Sequence, residues 1–274
     1  MFSSINESSS RGGLVVPGSE GLPCSFPTRL HNWIEFYKAP IPAYQTPIMV
    51  HRFEAKLSWM GNSNRPLTTN TAILPRHLGL VDYETAWHAM RSFTDARDSD
   101  TADELWLLEH PAVFTLGQAA RPEHLKNPQS IPVIHTDRGG QVTYHGPGQL
   151  VAYVLFDLDR RQIGIRRLVE ILENSVIGLL SEAGIRSGGK KGAPGVYVQG
   201  RKLAALGLRV RRGCCYHGLS LNVEMDLTPF QWIDPCGYPG LSVTQLRDLG
   251  VSWGMEETAS LFMRHLLTEL EIKG

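Results

Sequence analysis

Apolar positions fall into helical stripes and short runs from about residue 71 onward. Asp82 is a good N-cap, and Tyr83, Trp87, Met90 and Phe93 follow it at helical spacing, which predicts a helix over 82–96. Apolar runs bounded by turn residues predict strands over 104–109, 113–116, 131–136 and 149–158. Leu168, Leu172, Val176, Leu179 and Ala183 form one apolar stripe that ends at Gly184, so 165–183 is predicted as a helix. Two strands, 195–199 and 202–211, turn at Gly200-Arg201, and a further strand is predicted over 219–223. Ala259, Phe262, Leu266 and Leu270 mark a closing helix over 255–272. Strands in groups with single helices between them imply an α/β fold, with helices packed on one mixed sheet rather than a regular doubly wound alternation.

Residues 1–70 break this pattern. Seven prolines from Pro17 to Pro66 and a serine-rich start leave no sustained periodicity. We expect a disordered extension there, or a start annotated upstream of the true one, and a single catalytic domain over 71–274. The formal net charge is zero, which disfavours nucleic acid as a partner. No apolar run approaches the ~18 residues of a membrane span. The first residues lack a basic segment followed by an apolar core, so we expect no export signal, a cytoplasmic protein and free thiols. Adjacent Cys214 and Cys215 lack the spacing of a structural zinc site, and no metal is expected.

Candidate chemistry gathers in three places. The first is Arg138-Gly-Gly-Gln-Val-Thr-Tyr-His-Gly-Pro-Gly-Gln149, with Gly139, Gly140, Gln141, Val142, Thr143, Tyr144 and His145 in its first part. So many glycines bring bare backbone N–H groups close to a ligand, unless the stretch is only a glycine-rich hairpin. The second is Lys202-Leu-Ala-Ala-Leu-Gly207, where small residues leave room for a ligand beside Lys202. By itself Lys202 reads as a solvated lysine at a strand start. The third is the rigid loop Asp234-Pro-Cys-Gly-Tyr-Pro-Gly240, in which Cys236 is either a nucleophile or an inert thiol. Cys214 and Cys215 read as strand-edge packing. His145 and His217 are either bases or hydrogen-bonded core histidines. Arg209, Arg211 and Arg212 form either a docking patch for an acidic partner or a solvated face.

Taken together, the glycine stretch, Lys202–Gly207 and His217-Gly-Leu-Ser-Leu-Asn-Val223 with Pro235-Cys-Gly237 resemble the lipoyl(octanoyl) transferase family from about Arg76 to about Gly250. The resemblance implies an α/β domain similar to biotin and lipoate protein ligases. It implies transfer of octanoyl from octanoyl-acyl carrier protein to a lysine of lipoyl domains or of the glycine cleavage H protein, without a cofactor. It further implies an acyl-thioester on Cys236, with Lys202 lowering its pKa. The implied substrate-binding segments are Arg138 to His145, Ala205, Leu206 and Gly207, and Gly218, Leu219 and Ser220. One departure is Ala205, where many members carry serine; a backbone contact survives that change. An acyl slot lined by Val142, Ala204, Ala205, Leu206 and Gly207 fits this chemistry. Two other classes compete. One is an ATP-dependent ligase on the same fold, which needs no nucleophilic cysteine. The other is a binding module without turnover.

Overall fold

A computed structural model describes residues 72–271, which belong to the compact unit Asn64–Gly274. The extension expected over 1–70 lies outside the described residues. Nine strands and four α-helices make up the described chain. In order they are β1 Ile73–Leu80, α1 Tyr83–Ala96, β2 Asp103–Glu109, β3 Val113–Leu116, β4 Val133–His135, β5 Val142–His145 and β6 Gln149–Asp157. Then follow α2 Leu158–Arg161, α3 Ile165–Glu182, β7 Gly195–Val198, β8 Arg201–Arg211, β9 Cys214–Asn222 and α4 Met255–Glu271. Six strands form the main sheet in the order β1-β2-β6-β9-β8-β7, and β4-β3-β5 form a smaller one. The main sheet is antiparallel except for β1 on β2, and the small sheet pairs β3 parallel to β4, so both are mixed.

The main sheet is covered on both faces. Leu105, Leu107, Ala152, Val154 and Phe156 pack under Leu168, Leu172, Val176, Leu179 of α3 and Phe262 of α4. The alternate residues Trp106, Leu108, Val151, Tyr153 and Leu155 pack under Ala86 and Met90 of α1. Double coverage explains why β2 and β6 read as unbroken apolar runs instead of alternating ones. The small sheet has its own core, in which Phe114, Leu116, Val142 and Tyr144 meet Phe230 and Ile233. The predicted helices hold to within a residue or two. β1 was not expected from the pattern. It is an edge strand, exposed along nearly its whole length, and its Pro75, Arg76 and His77 hide any alternation. β9 begins at Cys214 and not at 219, so Cys214 and Cys215 lie in a central strand between β6 and β8 and not at an edge.

One buried charge ties α1, β2 and α2 together. Asp103, fully buried, takes hydrogen bonds from Arg97 and Arg160 at 2.6 Å and from Arg161 at 2.5 Å, plus the Asp157 backbone N–H at 2.9 Å. Removing the carboxylate leaves the nearly buried Arg97 without its anion. Asp103→Ala is expected to destabilise the fold by about 3–5 kcal/mol, read as a lower denaturant midpoint; an unchanged midpoint would refute this role.

Candidate active site

The glycine stretch docks on β8 because β7 is too short to cover it. β7 pairs with β8 only as far as Ala205, which leaves the outer edge of Leu206–Arg211 open. Gly139 fills that edge, donating its N–H to the Leu208 carbonyl at 2.9 Å. Arg138 is the pin. Its guanidinium, buried under the loop, donates to the Thr115 carbonyl and the Gln141 carbonyl at 2.7 Å and to Gly139 O at 3.0 Å. A planar fork of five donors suits this task, since it closes several backbone carbonyls at once. Gln141 points its side chain at the Pro235–Gly237 turn: a Cβ built on Gly237 would stand 2.9 Å from its Cδ and Nε2. The buried Oε1 of Gln141 has no hydrogen-bond partner among the described residues.

Lys202 is not the solvated lysine its local sequence suggests; it is 3% exposed. A return segment covers it: Lys202 N–H donates to Ser242 O and Thr244 N–H to Lys202 O, each at 2.9 Å. Its Nζ lies 5.4 Å from the centre of the Tyr197 ring. Gly195 makes room for it, since a Cβ there would come within 2.5 Å of Lys202 Cε and 2.4 Å of Ala204 O. Cys236 occupies the middle of the 3-10 turn Pro235–Gly237, held by Gly237 N–H to Asp234 O at 2.8 Å and Tyr238 N–H to Pro235 O at 3.2 Å. The Cys236 side chain is outside the described structure. Lys202 and Pro235 line one small cavity together with Thr143, Ala205 and Ser220.

Those last three residues also wall a neighbouring narrow cleft of about 40 Å³. Arg138, Gly140, Gln141, Val142, Thr143 and His145 line it from the glycine stretch, Ala205, Leu206 and Gly207 from β8, and Gly218, Leu219 and Ser220 from β9. Two of the expected substrate-binding residues lie elsewhere. Tyr144 turns its ring into the small-sheet core, with Phe114 and Phe230 ring centres 5.4 Å away. Gly139 lines a wider groove that joins the cleft at Gly140, Gln141, Leu206 and Gly207. Ala204, expected in the acyl slot, lines the Lys202 cavity instead.

A buried polar cluster borders the cleft, and most of it escaped sequence reading. Tyr83, Tyr153 and His217, all buried, also line the cleft, and His110 bonds Tyr153. His110 Nδ1 bonds the Val81 carbonyl at 2.7 Å, so it carries the proton, and Nε2 accepts from Tyr153 Oη at 2.6 Å. His145 likewise donates from Nδ1 to Gln149 Oε1 at 2.7 Å. Asp137 gathers hydrogen bonds from Trp87 Nε1 at 2.7 Å, His217 Nε2 at 2.9 Å and the Tyr216 hydroxyl. Partial burial opposes its charge, but these donors outweigh burial and hold the carboxyl well below the ordinary range. Burial lowers His217, against the pull of Asp137. Desolvation holds His110 down to about 4 and His145 down to about 3, so His145 is a neutral, hydrogen-bonded histidine.

These shifts make the fold acid-sensitive. In the unfolded chain both histidines titrate near 6.5, and the folded protein refuses those protons until about pH 4 at His110 and about pH 3 at His145. Stability is therefore full above about pH 6.5 and falls as pH drops, by on the order of 3 kcal/mol at pH 4 from His110 alone. Denaturant melts at pH 7.5 and 5 should show the lower midpoint at pH 5; a flat profile would contradict the assignment.

The remaining candidates carry no catalytic geometry. Cys214 and Cys215 are buried, and burial pushes the Cys215 thiol up to about 12. Arg209 donates to Gln118 Oε1 at 2.8 Å, and Arg211 pairs with Asp95 at 3.2 Å, which offsets part of the positive patch. Among the described residues no helix is long and apolar enough to cross a membrane.

The sequence matches the lipoyl protein ligase A/B catalytic domain over residues 82–267, and the chain belongs to that family. Octanoyltransferases are among its relatives. That of Chromobacterium violaceum is 56% identical over 191 residues, 70% of this chain and 92% of its own length. That of Thiobacillus denitrificans is 60% identical over 187 residues, 68% of this chain and 86% of its own. Among solved structures, lipoate-protein ligase A bound with ATP superposes with a TM-score of 0.62 at 14% identity, covering 73% of this chain and 85% of that one. A lipoate protein ligase of the archaeon Thermoplasma acidophilum, studied with its E2 lipoyl domain, superposes at 0.58 and 15% identity, covering 73% and 85%. At such identity the structural likeness concerns the fold.

Proposed function

We propose that this protein is an acyltransferase of lipoate biosynthesis that moves octanoyl from octanoyl-acyl carrier protein to a lysine of lipoyl domains, including the glycine cleavage H protein, through a thioester on Cys236. What carries the reading is the convergence of Lys202, the glycine stretch and the Pro235–Gly237 turn on one cavity that adjoins an apolar-walled cleft. Identity of 55–60% to octanoyltransferases supports the same acyl group.

The steps balance without a nucleotide. Cys236 thiolate adds to the carbonyl of the carrier's octanoyl thioester. The tetrahedral oxyanion collapses, the carrier thiolate leaves, and a proton from Lys202 neutralises it. The neutral amine of the target lysine then attacks the acyl-enzyme. Cys236 thiolate leaves, an amide forms, and Lys202 takes up the amine's proton. Thioester exchange is close to energetically even, and the amide step is downhill. We assign the oxyanion donors to remaining backbone N–H groups of the glycine stretch or of the Cys236 turn, where one such donor is worth about 3–4 kcal/mol. Burying the acyl tail at ~0.8 kcal/mol per CH₂ contributes roughly 5–6 kcal/mol.

The test is transfer from octanoyl-acyl carrier protein to a lipoyl domain in nucleotide-free buffer. Full turnover is expected. Strict dependence on ATP would make the protein a ligase, and binding of the lipoyl domain without turnover would make it a binding module.

A further inference from the structure

The wall of the cleft holds one residue in an unusual conformation. His217 lies inside β9 with φ +63°, a left-handed value that non-glycine residues rarely adopt in a strand. Alternation along β9 places Cys215, Leu219 and Leu221 toward α3 and α4, and Tyr216 on the face covered by α1. Strict alternation would send His217 to the side of Cys215 and Leu219. The left-handed twist instead brings its imidazole over to the Tyr216 side, where the two rings stack with centres 5.0 Å apart and Tyr153 meets it edge-on at 6.0 Å. Local backbone strain of this kind persists where the surrounding structure enforces it, and it clusters at working sites.

The imidazole is then fixed by its partner. Nε2 donates to Asp137, and Nδ1 therefore presents a lone pair. That Nδ1 is buried and has no hydrogen-bond partner among the described residues, while the residue as a whole is 1% exposed and lines the cleft. Thr143, Ala205 and Ser220 form the wall that the cleft shares with the Lys202 cavity. Ser220 and His217 are three residues apart on β9, a rise of about 10 Å. That is close to the length of an extended eight-carbon acyl chain.

We propose that His217, oriented by Asp137, is the end stop that fixes the acyl length. This rests on the site assigned above, with the acyl carbonyl at the Lys202 end. An octanoyl tail ends short of the imidazole and leaves Nδ1 free to keep a water. A longer tail presses methylenes onto Nδ1 and strips that partner, which leaves a buried acceptor unsatisfied. A purely apolar floor discriminates weakly against an extra methylene, whereas a polar group left unpaired discriminates more strongly. His217 is thus a specificity-determining residue, and Asp137 is a positioning residue that holds it.

The experiment compares kcat/KM for octanoyl-, decanoyl- and dodecanoyl-acyl carrier protein with a lipoyl domain as acceptor. The native enzyme should lose about tenfold or more at decanoyl and more again at dodecanoyl. His217→Gly opens the floor and suits the left-handed backbone, and should raise the decanoyl-to-octanoyl ratio about tenfold. His217→Asn also tolerates that backbone, keeps a polar floor, and should raise the ratio less. Each ratio is internal to one preparation, so partial loss of folding cancels. Equal use of all three donors by the native enzyme would overturn the proposal, even if a variant failed to fold. So would ratios unchanged from native in the folded variants. No transfer from any donor by the folded native enzyme would overturn the site assignment itself, and this proposal with it.

Discussion

Replacing Cys236 with alanine is expected to abolish transfer, lowering kcat by on the order of 10³-fold or more, because the covalent step loses its nucleophile. The fold should survive. The turn that carries residue 236 is held by backbone bonds of its neighbours, Gly237 to Asp234 and Tyr238 to Pro235, and these do not involve the thiol. Circular dichroism and the thermal midpoint should therefore match the parent. Cys214→Ala and Cys215→Ala are the controls. Both thiols lie in β9 away from the cleft, and burial holds each in its neutral form. Their loss should leave turnover per folded molecule nearly intact. Octanoyl transfer at the parent rate by the Cys236 variant would exclude a thioester on that residue.

Loss of the Lys202 charge is expected to have the second largest effect. A free thiol titrates near ~8.5, so little thiolate exists at neutral pH unless a cation favours it. Lys202 is buried beside the Cys236 turn, where low dielectric strengthens that influence. Lys202→Met keeps the length and apolar volume that Gly195 accommodates but carries no charge. We expect kcat to fall about 10²–10⁴-fold, the range for removing positioned acid–base catalysis. The pH midpoint for alkylation of Cys236 should rise toward the free-thiol value. Lys202→Arg separates the two roles: guanidinium stabilises a thiolate but does not give up a proton in this range. It should alkylate more readily than the Met variant yet transfer poorly. Parent-like alkylation and transfer in both variants would exclude the lysine as the partner.

Sequence showed the helices, the mixed sheet and most of the cleft wall, because each depends on local signals. A stripe such as Leu168 to Leu179 reports its own burial, and a cluster such as Arg138–Gly140 reports a special backbone. What depends on distant chain segments was not legible. Lys202 looks solvated beside Arg201, yet residues 242–244 come back to cover it. Tyr83, His110, Asp137 and Tyr153 sit on separate elements with no shared spacing, so their cluster exists only in the fold. Asp137 offered the one local hint, as an acid directly preceding the glycine stretch. The first half of β9 was missed because His217 and Gly218 interrupt its alternation, and the left-handed φ at His217 is the physical cause. Tyr144 is the converse case. It lies within the glycine motif, but strand alternation in β5 points its ring away from the cleft and into a core.

Intact mass spectrometry of the native protein mixed with octanoyl-acyl carrier protein, in the absence of acceptor and nucleotide, tests for a covalent octanoyl-enzyme on Cys236. One added octanoyl group per chain is expected, mapped by peptide fragmentation to Cys236 and discharged when a lipoyl domain is supplied. An unmodified enzyme that nonetheless transfers octanoyl, or an adduct mapped to another residue and discharged at the same rate, would contradict it.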